Sequence, residues 1–83
     1  MSQPKIPEMK SFFIYRTLSQ NLRYYRNRLE MTQVQVADLA GCSPKYLSLL
    51  ETSCFDNAPS LQVLFNLAEA LQIQPYQLFR PLG

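Results

Sequence analysis

The sequence predicts an all-α protein of five helices, and three observations carry that prediction. Two short helical segments, each with its own start signal, meet at Gly41 inside the stretch from Thr32 to Glu51. Leu64, Leu67, Ala68 and Leu71 recur at i, i+3, i+4 and i+7, an apolar stripe of helical period. Leu18, Leu22, Tyr25 and Leu29 set out a second stripe earlier in the chain. With 83 residues there is room for one domain, and a chain this small buries only about 60% of the surface it exposes when unfolded.

Residues 1–10 hold Pro4 and Pro7 among small and polar residues without a helical period, and are expected as a flexible, extended N-terminal arm. Lys5 and Lys10 are too few to make more of it than a solvated tail. Residues 11–83 are expected as the single domain. The first helix should begin between Ser11 and Leu18 and end near Leu29, with Ile14 or Tyr15 extending its stripe. Phe12, Phe13 and Tyr15 are then expected to thicken a small core, with a dimer contact as the alternative.

The second helix opens at Thr32, an N-cap with Gln35 three residues on, the spacing of a capping box; Met31 and Val36 flank it as a hydrophobic staple. Gly41 closes it, because glycine adopts the left-handed conformation of a helix end at least cost. Ser43 caps the third helix, and Pro44 takes the first helical position, where its missing N–H costs nothing. Tyr46, Leu47 and Leu50 share one face of that helix, leaving Pro44, Lys45, Ser48 and Leu49 on or beside the other. Two helices joined by a tight glycine turn pack at a steep angle, so the third helix should project from the surface as the second half of a helix-turn-helix. Pro59 and Ser60 start the fourth helix. Pro75 opens a last short one carrying Leu78 and Phe79, and Pro81 with Gly83 ends regular structure.

Composition narrows the function. Apolar residues make up 47% of the chain and charged residues 17%, a globular balance. The longest apolar run, Phe12 to Tyr15, cannot span a bilayer, and the first residues lack a signal-peptide core, so a cytoplasmic protein is expected. There is no histidine, no phosphate-binding glycine loop among two glycines, and no cysteine with an evident base, which speaks against an enzyme, a metal or a cofactor. Cys42 reads as a small buried hydrophobe and Cys54 as a loop residue, both free thiols in a reducing cytoplasm. Net charge is only +2, yet residues 1–30 carry six basic and two acidic side chains, and residues 31–83 two basic and four acidic. That asymmetry can give a nearly neutral protein a basic face.

From Leu18 to Phe79 the chain resembles the lambda repressor-like DNA-binding domain of Cro and the phage repressors. The resemblance rests on Leu18, Leu22, Arg23, Arg26, Thr32, Gln33, Val36, Ala37, Gly41, Ser43, Tyr46, Leu47, Ser48, Glu51, Pro59, Ser60, Leu64, Ala68, Leu71 and Leu78, in that order. It implies a sequence-specific transcriptional regulator, a repressor, of bacterial, phage or mobile-element origin. Such a protein binds a double-stranded DNA operator as a homodimer and places the third helix, residues 43–51, in the major groove. Small repressors, restriction-modification controllers and antitoxins share this fold. Pro44, Lys45, Ser48 and Leu49 would then face the bases. Gln33, Thr32 and Ser43 would meet phosphate at helix starts. Arg23 and Arg28 are solvated positions by default, and Arg23 is the candidate for a further phosphate contact. In the resembled family the arginine at the position of Arg26 pairs with the glutamate at the position of Glu51, which implies a structural ion pair here.

Two departures from the family matter. The loop at residues 52–58 is longer, has Ser53 where glycine is frequent, and carries Phe55 and Asp56 in place of phosphate-anchoring lysine or arginine. Leu49, Val34 and Leu39 are apolar at positions usually polar. They support an alternative, a protein-interaction module derived from the same fold, whose apolar helix-turn-helix surface binds a partner protein.

Overall fold

Helix starts in this chain are written in side chains. Thr32 Oγ1 accepts the Gln35 N–H at 3.1 Å while Gln35 Oε1 accepts the Thr32 N–H at 2.8 Å, a complete capping box. Ser43 Oγ accepts the Tyr46 N–H at 3.0 Å, and Ser60 Oγ the Val63 N–H at 3.2 Å. In the computed structural model, which describes residues 8–53 and 58–82, the elements are α1 (Glu8–Arg28), α2 (Gln33–Ala40), α3 (Pro44–Glu51), α4 (Leu61–Ala70) and a 3₁₀ turn (Pro75–Phe79). No strand occurs among the described residues.

Helix ends follow a different rule. Each helix is followed by a residue in the left-handed region: Glu30 at φ 57°, Gly41 at 74°, Ser53 at 60° and Gln72 at 60°. After three of them the next N–H reaches back to a carbonyl in the last turn, Met31 to Arg26 at 3.1 Å, Cys42 to Ala37 at 3.0 Å and Ile73 to Ala68 at 3.0 Å. These bonds satisfy carbonyls that a helix end leaves open. Only one of these ends uses glycine, so three hold an ordinary side chain in a conformation it disfavours.

The expected stripes form one core. Leu18 and Leu22 of α1 pack with Val36, Ala37 and Ala40 of α2, Leu47 and Leu50 of α3, and Leu64, Leu67 and Ala68 of α4, with Leu71 and Leu78 closing it. Tyr25 and Met31 lie partly buried against it. α2 packs on α4, whereas α1 packs on α3 and on the 3₁₀ turn.

Three expectations are corrected. The fifth helix is a single 3₁₀ turn, leaving four α-helices among the described residues: the segment is five residues long, and Pro81 lies just beyond it. Leu78 anchors it, fully buried. α1 begins at Glu8, inside the expected arm and ahead of the expected start, because no glycine or proline interrupts residues 8–28 and propagation adds a hydrogen bond per residue. Residues 1–7, with Pro4, Lys5 and Pro7, lie outside the described residues. The apolar run at the start of α1 does not thicken the core: Phe12, Phe13 and Ile14 are 57%, 54% and 51% exposed, Phe12 and Phe13 because they lie off the phase of the buried Leu18 and Leu22, and Ile14 because it lies a turn ahead of Leu18, the first buried residue among those described on α1. Cys54, Phe55 and Asp56 also lie outside the described residues, and with them what was expected of their side chains.

Candidate nucleic-acid interface

The inner side of α3 is fixed at both charge and backbone. Leu47 and Leu50 are buried, and beside them Glu51 is 2% exposed, a carboxylate taken almost wholly from water. Arg26 answers it with a fork, Nε to Oε2 at 2.7 Å and Nη2 to Oε1 at 2.9 Å, while its Nη1 donates to the Met31 carbonyl at 3.0 Å. One side chain therefore ties α1 to the end of α3 and to the turn that enters α2. The hydrogen bonds to Glu51 push the Arg26 pKa above its ordinary value, with partial burial opposing them, so the guanidinium stays charged. A bidentate pair of this kind sets orientation as well as energy.

The outer side presents what the helical period placed there. Pro44 and Lys45 are exposed, Leu49 is 36% exposed, and Ser48 is half-buried. Thr52 Oγ1 donates to the carbonyls of Ser48 and Leu49, each at 3.1 Å, and so covers open carbonyls at the end of α3. The exposed side chains thus stand on a short helix whose two ends are both tied down.

Gln33, Thr32 and Ser43 lie at helix starts. Thr32 and Ser43 are exposed; each hydroxyl accepts a cap hydrogen bond and keeps its proton for another partner. Gln33 is half-buried and spends one amide N–H on Glu51 Oε1 at 3.1 Å, keeping the other. This bond joins the start of α2 to the end of α3. Arg23 is exposed on α1 and walls one hollow together with Glu51 and Thr52. Lys45, Pro44 and Leu49 lie at a separate place, along the outer side of α3.

Two functional supports escaped the sequence reading. Ser19 Oγ donates to the Leu50 carbonyl, joining α1 to α3, and Asn21 Nδ2 donates to the carbonyls of Leu78 and Arg80 at 2.7 and 2.9 Å, holding the 3₁₀ turn on α1. Both residues are buried, and both sit between Leu18 and Leu22 on the buried side of α1. A polar residue on an apolar stripe was the available signal. Asn21 Oδ1 has no partner among the described residues. Cys42 is a free, half-buried thiol packed against the core, and burial pushes its pKa up. No group of three or more His, Cys, Asp or Glu able to hold a metal ion occurs among the described residues, and no described helix is long and apolar enough to cross a membrane.

Residues 22–78 match the helix-turn-helix family model of the Cro/C1 type. Among solved structures, the restriction-modification controller protein C.AhdI from Aeromonas hydrophila is 31% identical with a TM-score of 0.72, over 78% of this chain and 96% of that one. The hypothetical transcription factor NHTF from Neisseria is 25% identical with a TM-score of 0.76, over 98% of this chain and 88% of that one. No curated protein sequence matches the chain.

Proposed function

The chain belongs to the Cro/C1-type helix-turn-helix family and is a DNA-binding regulator of transcription, and from that premise we propose that it is a sequence-specific repressor acting as a homodimer. It acts in the cytoplasm of a bacterium, or on behalf of a phage or mobile element. Its operator is roughly two-fold symmetric, with half-sites about one helical turn of DNA apart.

One observation supports this reading above the others: α3 is locked from within by the Arg26–Glu51 fork and open on the side that carries Pro44, Lys45, Ser48 and Leu49. A helix of this size fits the major groove. Lys45 donates to guanine O6 and N7, Ser48 exchanges hydrogen bonds with several base edges, and Pro44 and Leu49 lie against thymine methyl groups. At the flank, the Gln33 amide and the N–H groups at the start of α2 meet a phosphate, with the Thr32 and Ser43 hydroxyls adding donors, and Arg23 on α1 makes a separate phosphate contact.

Selection of binding sites from random-sequence DNA by the purified chain, at two salt concentrations, tests this. Enrichment of one near-palindromic site, lost with Lys45→Ala, is the expected result. Salt-sensitive binding without enrichment would leave only non-specific phosphate contact and sink the operator reading.

A second reading has its own observation. Val34, Leu39 and Leu49 are 61%, 63% and 36% exposed on the helix-turn-helix, apolar side chains open to a protein partner. That reading predicts no selected DNA site and binding to a partner that Lys45→Ala leaves intact.

A further inference from the structure

Two arginines of α1, Arg16 and Arg23, are exposed and have no ion-pair partner among the described residues. Seven residues apart, they lie two turns apart on one face of the helix. They wall a hollow of about 370 Å³ with Phe12, Ser19 and Gln20 from α1 and with Glu51, Thr52 and Ser53 at the end of α3.

Charge and proton counting decide what this hollow accepts. The carboxylate of Glu51 is already matched by Arg26, at 2.7 and 2.9 Å, so the surplus charge is the two guanidinium groups. The Ser19 hydroxyl gives its only proton to the Leu50 carbonyl, so in the 2.6 Å Ser19–Ser53 contact Ser53 is the donor, with the Tyr15 carbonyl a second, longer acceptor of its proton at 3.5 Å. Thr52 gives its proton to the carbonyls of Ser48 and Leu49. The hydroxyls are spent. Among these hollow-lining groups, the donors still free are the guanidinium groups of Arg16 and Arg23 and the amide of Gln20, a set that takes an anion. Its position fits one anion in particular: Glu51, on the wall of the hollow, also holds Gln33 at the start of α2, at 3.1 Å. The hollow and the phosphate point at the start of α2 thus share Glu51 between them.

We propose that Arg16 and Arg23 form a second phosphate-binding point at the end of α3, holding an operator backbone phosphate beyond the one at Gln33. This rests on the DNA-binding reading above. It supplies from α1 the basic contact that the loop at 52–58 lacks, since that segment has no lysine or arginine. A guanidinium pair grips a phosphate by parallel N–H···O bonds and is indifferent to the base beyond it.

The test compares the full chain with Arg16→Ala/Arg23→Ala and Arg16→Lys/Arg23→Lys, by fluorescence anisotropy over a salt series, on the selected operator and on random duplex. The alanine variant is expected to bind both DNAs more weakly by the same factor. Its plot of log K against log salt should be shallower by about 0.9 for each phosphate lost, with the lysine variant restoring most of the slope. Melting should be unchanged, because both residues are exposed. A methylphosphonate at the contacted phosphate should weaken the wild-type chain and leave the alanine variant unaffected. If the wild-type chain binds its operator and the alanine variant matches it in affinity and slope, the phosphate point is overturned and the DNA reading stands. A changed sequence preference at constant slope makes the arginines base readers and also overturns it. If the wild-type chain binds no DNA, both readings fall together.

Discussion

On its inner side α3 meets α1 through a carboxylate held by a fork of hydrogen bonds, a carbonyl held by the Ser19 hydroxyl, and two buried leucines; on its outer side Pro44, Lys45 and Leu49 are exposed. Eight residues are thus divided between a face whose partners are all inside the molecule and a face whose partners must come from outside. Stability and recognition are separable in such a helix. Substitutions on the inner side should cost folding, and substitutions on the outer side should cost binding at unchanged folding.

The inner side breaks most severely at Arg26. Arg26→Ala leaves Glu51 buried with only Gln33 as a donor, and removing one partner of a buried pair costs about 3–5 kcal/mol, a large share of the stability of so small a domain. Urea denaturation should show that loss. Arg26→Lys should recover part of it, because an ammonium keeps the charge and cannot reproduce the fork. A loss below about 1 kcal/mol for the alanine variant would show that the pair orients α3 without stabilising it.

A smaller effect is expected at Ser53, where the inner side of α3 ends. Ser53 is left-handed at φ 60° and donates to Ser19, which in turn donates to Leu50. Ser53→Ala deletes a hydrogen bond and keeps the unfavourable conformation, for a loss of about 0.5–1.5 kcal/mol. Ser53→Gly deletes the same bond and relieves a left-handed conformation worth roughly 1–2 kcal/mol, so it should lie close to the wild-type chain or above it. Thermal melts of the two variants, run side by side, separate hydrogen bonding from backbone strain. Equal melting temperatures would remove strain from the account.

Smaller again is the contribution of Cys42, at the turn between the two helices. Burial raises its folded pKa above the unfolded one. Below the unfolded value both states hold the proton and nothing is lost; as pH rises past it the unfolded thiol ionises first, binds fewer protons, and stability falls with pH. In a Cys54→Ala background, Cys42→Ala should flatten that alkaline decline, and the Cys42 thiol should react with iodoacetamide more slowly than a free thiol at the same pH. A decline of unchanged steepness would assign it to other groups.

What the sequence disclosed and what it withheld differ in the same way as the two faces. Caps at Thr32, Ser43 and Ser60 need only a residue type and a spacing, so each helix start after the first was legible. Helix ends at Glu30, Ser53 and Gln72 were not, because an ordinary side chain takes a left-handed conformation there under the demands of packing that no local pattern displays. The apolar residues 12–14 illustrate the converse: hydrophobicity predicted burial, yet Phe12 and Phe13 lie off the helical phase of Leu18 and Leu22, and Ile14, in phase with them, lies a turn ahead of the buried part of α1. On the candidate site, the outward placement of Pro44, Lys45 and Leu49 followed from period. The bonds from Ser19 to Leu50 and from Gln33 to Glu51 depend on how α1, α2 and α3 meet, and distance along the chain hides that.

Lys45 is where the division between the faces is most exposed to failure. It is exposed at the start of α3, and its side chain makes no ion pair among the described residues. Lys45→Ala should therefore shift stability by no more than about 0.5 kcal/mol in either direction. Its effect on recognition should run the other way, lowering the preference for the selected operator over a site altered at the contacted guanine by about 5- to 150-fold. Binding to random duplex should weaken far less, since any phosphate points on α1 and at the start of α2 are untouched. If instead the variant melts well below the wild-type chain, the outer side is also structural and the two faces are not independent. If operator and random duplex weaken by one common factor, Lys45 holds a phosphate, and base reading falls to Pro44, Ser48 and Leu49, side chains that carry far less of the hydrogen-bond code.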